Sequence, residues 1–164
     1  MNHTLRKAGQ AYQRGSVAVE TAIVFSFLVM FATAPSIYWA FYFYQYSAAQ
    51  KAVHHAALYL ATAPKVEMAV EGPDGEPLAL AVARKIIATE MAGMGAPEPD
   101  FGCNYRQASG TAVPKTCNMT NALSTTQTLV QVNVAINMSY IDPLTGDDSG
   151  LWISPYALVP YIGN

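Results

Sequence analysis

Residues 14–46 read RGSVAVETAIVFSFLVMFATAPSIYWAFYFYQY, and the rest of the chain is organised around them. Arg14 opens the stretch, and the next basic residue is Lys51. Between the two lies one formal charge, Glu20. From Thr21 to Gln50 there is no Asp, Glu, Lys or Arg, a run that exceeds the roughly 20 residues that carry a helix across a bilayer. The run therefore reads as a membrane span rather than a buried core helix. An ionised carboxylate costs on the order of 2.5–3.5 kcal/mol at the centre of such a helix and less near its end. Glu20, close to the mouth of the span, is thus a costly residue that asks for a reason.

The span runs over residues 17–44, about 42 Å at helical rise, against a hydrocarbon core of about 30 Å. Its excess length is aromatic. Tyr38, Trp39, Phe41, Tyr42, Phe43, Tyr44 and Tyr46 have the composition of an interfacial belt. Pro35 lies inside the span, removes the hydrogen bond to the Phe31 carbonyl, and predicts a kink. Beyond the belt, Ala49, Val53, Ala56, Ala57 and Leu60 recur at helical spacing, and Pro64 is a natural stop. One helix over residues 16–62 is expected.

Upstream, Arg6, Lys7 and Arg14 are unaccompanied by acid, and residues 1–14 read as a short disordered basic tail resembling the n-region of an export signal. Downstream, residues 51–164 hold six bases and ten acids. Basic residues flanking a single span stay cytoplasmic, so the expected topology is N-terminus inside and C-terminal domain exported. A mildly acidic outer domain argues against nucleic acid as a partner. Ala32-Thr33-Ala34 could mark a cleaved signal, but Pro35 would follow the scissile bond and the apolar run continues past it.

The exported part, residues 64–164, begins with a turn cluster at 71–77 and a helix over 78–94 whose Leu80, Ala83, Ile87 and Met91 share a face. Residues 95–114 read as loop. The clearest strand is 128–140, where Val130, Val132, Val134, Ile136, Met138 and Tyr140 alternate with Gln131, Asn133, Ala135, Asn137 and Ser139. A lone strand is unstable, and residues 112–119 and 151–162, the latter across a turn at 142–146, are its candidate partners. The fold class is α+β: a long N-terminal transmembrane helix leading into a small domain with a second helix and an antiparallel sheet. The only cysteines, Cys103 and Cys117, would lie in an oxidising compartment, and a disulfide closing a loop of about 15 residues would contribute about 3 kcal/mol.

Other candidate chemistry is weak. His54 and His55 are adjacent, so on a helix they point about 100° apart and do not share an ion. Asp142, Asp147 and Asp148 lack the spacing of a calcium loop and read as a solvated turn. No nucleophile elbow or phosphate loop is present, so neither an enzyme nor a cofactor is expected.

Gly15-Ser-Val-Ala-Val-Glu20 resembles the processing site of type IV pilin-like proteins, and within them the chain resembles the TadE-like minor pseudopilins of tight-adherence (Tad/Flp) pili. The match covers residues 14–34; beyond that the architecture alone agrees. The resemblance implies cleavage after Gly15 by a prepilin peptidase, Ser16 as the first mature residue, and Glu20 as an assembly residue that sets axial register. It also implies residence in the bacterial inner membrane, incorporation into a pilus at low copy, and a role in adhesion. The partners would be the major pilin, other minor pilins, the peptidase and the membrane assembly platform, with the lipid bilayer around the helix. Three parts follow: a basic leader 1–15, the helix 16–63 and the exported domain 64–164. The alternative is a signal-anchored periplasmic binding or scaffold protein that never polymerises.

Overall fold

Helix α1 spans His3–Thr62 and carries Pro35 inside it. The computed structural model describes residues 3–72, 75–94, 97–118, 124–143 and 145–163, with side chains from Val17 onward. Two short helices follow, α2 (Lys65–Ala69) and α3 (Leu78–Glu90). Five strands complete the chain: β1 (Glu98–Gln107), β2 (Ala112–Thr116), β3 (Gln127–Ile141), β4 (Asp148–Ile153) and β5 (Tyr156–Pro160). The fold is α+β, a long apolar N-terminal helix followed by short helices and a five-stranded antiparallel sheet. By its contacts the chain divides into two compact units, Met1–Phe41 and Tyr42–Asn164.

The first unit is a single helix. Its start differs from the expected one: residues 3–14 are helical rather than disordered. Leu5, Arg6, Lys7, Ala8, Gln10 and Ala11 are good helix formers with no proline among them, so the helix of the span propagates backwards through them. From Val17 to Phe41 almost every side chain is exposed.

In the second unit the sheet is built on β3, in the order β2-β1-β3-β4, with β5 also pairing β3. Val132, Val134, Ile136, Met138 and Tyr140 are buried, as their alternation requires. Val130 departs from the alternation. The β1–β3 register shifts between Asn104 and Tyr105, which face Gln131 and Leu129. Val130 is therefore the extra residue of a bulge, and Leu129 takes the buried place expected for it.

Among the described residues of the expected loop 95–114, most are strand, with a turn at 108–111. Within them β1 pairs β3 along its whole length, and Pro99, Phe101, Cys103 and Tyr105 form its buried face. Pro99 is tolerated because β2 flanks β1 only from Gly102 to Arg106, so one edge of β1 is free at Pro99. Strand β2 falls inside the expected 112–119 but pairs β1, not β3. Strands β4 and β5 are the second expected partner, split by Ser154 and the buried Pro155.

The inner face of the sheet is covered by the second half of α1 and by α3. Ala49, Ala52, Val53, Ala56, Ala57, Leu60 and Ala61 form the buried stripe of α1, and Ala79, Leu80, Ala83 and Ile87 that of α3. The α3 helix stops at Glu90, short of the expected 94, with Met91 as its buried C-cap and Gly93 at φ 85°. The two helices are tied at the surface by Glu90, whose Oε2 accepts from Lys51 Nζ at 2.9 Å and whose Oε1 lies 3.1 Å from His55 Nδ1. Those two bonds hold the Glu90 carboxyl below its ordinary range. Helix α2 was not foreseen; Tyr59 of α1 donates to its Glu67 at 3.1 Å.

The expected disulfide is present. Cys103 on β1 and Cys117 just past β2 have Cα atoms 5.0 Å apart and join the two strands of that hairpin.

Candidate functional site

Gly15 and Ser16 lie within α1 with helical backbone. Glu20 follows one turn later and is exposed. No ion pair or hydrogen bond reaches its carboxylate from the described residues. Because α1 starts at His3, Glu20 sits in the body of the helix and not in its first turn, which holds no acid. The intact chain thus gives Glu20 no macrodipole stabilisation, since that effect fades within the first turn. This corrects the expectation from sequence, which placed the helix start at Ser16.

The polar side chains of the span are arranged for an apolar solvent. Thr21 Oγ1 donates to Val17 O at 2.8 Å and Ser26 Oγ to Ala22 O at 2.8 Å. Thr33 Oγ1 donates to Val29 O and Ser36 Oγ to Ala32 O, each at 2.6 Å. Each hydroxyl returns its proton to the carbonyl four residues back, so none presents an unsatisfied donor to lipid. Glu20 stands apart from this pattern as a polar group with no partner among the described residues. Phe27 and Phe31 stack one turn apart on the same exposed surface. Helix Val17–Thr62 is long and apolar enough to cross a membrane, and its most apolar window is unburied by the rest of the chain.

Where the second unit begins, three residues of α1 hold the sheet. Tyr42 packs edge-on against Tyr140 with ring centroids 5.6 Å apart, and its hydroxyl reaches Trp152 O at 3.5 Å. Gln45, only 7% exposed, donates from Nε2 to Ile141 O at 2.8 Å and accepts from Ile141 N at 3.3 Å. It completes the end of β3 as a neighbouring strand would. Gln50 donates to Tyr156 O at 3.4 Å. At the far end, the N–H groups of Ile162 and Gly163 both donate to Ala61 O, and Tyr161 Oη donates to Ala63 O at 2.7 Å. The last residues of the chain thereby cap the carbonyls that close α1.

Sequence reading missed Gln45. The signal was available: Gln45 lies four residues before Ala49 and extends the buried stripe by one turn. His54 is exposed and His55 faces Glu90, so the pair serves the helix surface. In the turn after β3, Asp142 N and O bond to Asp147 O and Gly146 N, and Asp148 accepts from Gly150 N.

Comparison with known proteins agrees with the N-terminal segment. No curated protein and no solved structure matches the chain. The model of one family, described as TadE-like protein, matches residues 15–58, from the Gly15–Ser16 bond to the buried stripe of α1. Over residues 15–58, about a quarter of its length, the chain is therefore similar to TadE-like proteins.

Proposed function

We propose that this chain is a minor subunit of a Tad-type pilus, processed after Gly15 by a prepilin peptidase and needed for pilus assembly. The observation that carries the reading is Glu20, an exposed carboxylate in an apolar helix with no partner among the described residues. Cleavage would change its setting. Ser16 would gain an α-amine, and Glu20, four residues on, would share its helix face and fall in the first turn. The carboxylate then pairs with its own amine or with that of a neighbouring subunit. Pairing with a neighbour fixes the axial register of one helix on the next. Arg6, Lys7 and Arg14 keep the leader in the cytoplasm, so the domain of residues 64–164 faces the periplasm. The partners are the major pilin, other minor pilins, the peptidase and the inner-membrane assembly platform.

A second reading has one observation in its favour. Helix α1 runs unbroken through Gly15–Ser16, and a helical peptide bond must unwind before a peptidase can cut it. On this reading the leader stays and the chain is a signal-anchored scaffold that does not polymerise. Replacing Glu20 by Ala distinguishes the two. The pilus reading expects assembly to be lost while the protein still enters the membrane, with Glu20→Gln as defective as Glu20→Ala. Normal piliation with either variant removes the role given to Glu20.

A further inference from the structure

The second unit carries exposed apolar side chains that its own fold does not use. Trp152 on β4 is 63% exposed, and Leu151 beside it is also exposed. Tyr42 lies beside them, its hydroxyl 3.5 Å from the Trp152 carbonyl oxygen. Tyr42 is the residue directly after Met1–Phe41, the unit that holds the apolar helix. Phe43, Tyr44 and Tyr46 on the adjoining turns of α1 are exposed as well. One end of the unit thus presents an indole, a phenyl ring and two phenols where the chain emerges from its membrane-length run.

We propose that this end of the domain rests in the lipid headgroup layer, with Trp152 as a second membrane anchor, and that the lipids it takes are zwitterionic rather than anionic. The inference rests on the membrane-anchoring reading of α1. Tryptophan is suited to that layer because its ring is apolar while its N–H still needs a polar partner. The headgroup class follows from charge. Asp142, Asp147 and Asp148 surround the β3–β4 turn, and Glu98 lines the same cavity as Asp148. Residues 116–164 contain no Lys, Arg or His. No cation from that segment offsets the four acids, so bare phosphate headgroups are repelled. A headgroup whose outer charge is an ammonium is matched.

The test uses the full chain in lipid vesicles and its two tryptophans, Trp39 and Trp152. Trp39→Phe leaves Trp152 as the sole reporter, and Trp152→Phe leaves Trp39 to report on the span. Phosphatidylcholine brominated near the top or the end of its acyl chains quenches indoles according to depth. The proposal expects Trp152 to be quenched more by the shallow bromines than by the deep ones. It also expects that quenching to fall at least about twofold as phosphatidylglycerol replaces unbrominated phosphatidylcholine at a constant fraction of brominated lipid. If Trp39 is quenched but Trp152 emits as a hydrated indole, the inference is overturned and the anchoring stands. A Trp152 that is unquenched yet blue-shifted with rising protein concentration is covered by a second copy, which also overturns it. If neither tryptophan is quenched, the anchoring reading fails and takes the inference with it.

Discussion

Gln45 is the residue on which the junction of helix and sheet depends most sharply. Replacing it by Leu keeps the volume and removes both bonds to Ile141, which span 2.8 and 3.3 Å. Each such bond contributes a net of about 1 kcal/mol, and the Ile141 N–H and C=O stay behind in a half-buried place. The expected loss is about 2 kcal/mol. Gln45→Ala additionally removes one buried methylene at about 0.8 kcal/mol, bringing the loss to about 3 kcal/mol. For a unit of this size each kcal/mol lowers Tm by about 4 °C, so the two variants should melt about 8 and 12 °C below the parent. Near-UV circular dichroism of the full chain in nanodiscs follows the change, because Tyr42 and Tyr140 pack beside the contact. Hydrogen exchange at the Ile141 amide gives a second, local readout. Should Gln45→Leu melt with the parent and leave that amide equally protected, the paired bonds do not hold helix to sheet.

Three further outcomes are expected. The Tyr105 hydroxyl is buried without a hydrogen-bond partner among the described residues, and burial, with a smaller effect of Tyr161, pushes its pKa up to about 12. The unfolded chain ionises first, from the ordinary value of 10.0, so this contribution to stability is intact below that pH and disappears as pH rises through about 12. Tyr105→Phe should flatten the alkaline limb of a stability–pH curve and be neutral or stabilising at pH 7; an unchanged limb counts against it. Gly163→Ala should cost about 1–3 kcal/mol in thermal denaturation, since a Cβ there runs into Ala63 O and the Tyr161 ring. Reducing Cys103–Cys117 should cost about 3 kcal/mol, read as a Tm difference with and without reductant.

What the sequence made legible follows from where its patterns are uninterrupted. Strand β3 alternates over most of its length and α1 is apolar over several turns, so period alone identified both. The buried faces of α1 and α3 followed from the same spacing. Strand β1 escaped because Pro97, Pro99 and Gly102 give the segment the composition of a loop, and pairing with β3 overrides that local composition. The bulge at Val130 depends on the register of two strands distant in sequence. The helix start at His3 was misread because a basic, polar segment looks disordered until a stable helix continues it. At the candidate site, Gly15, Ser16 and Glu20 were singled out by residue type, spacing and family resemblance, and their roles stand as proposals. The clasp of Ile162 and Gly163 on Ala61 was not, since it joins the chain's end to a helix about 100 residues earlier.

The account turns on whether the bond after Gly15 is cut in the cell. Intact-mass and N-terminal sequencing of the protein recovered from membranes that contain the assembly machinery decide it. The account predicts a mature chain starting at Ser16, with Glu20 as its fifth residue. A chain that retains Met1 and the basic leader contradicts it and leaves the signal-anchored scaffold; a chain starting at Pro35 contradicts both.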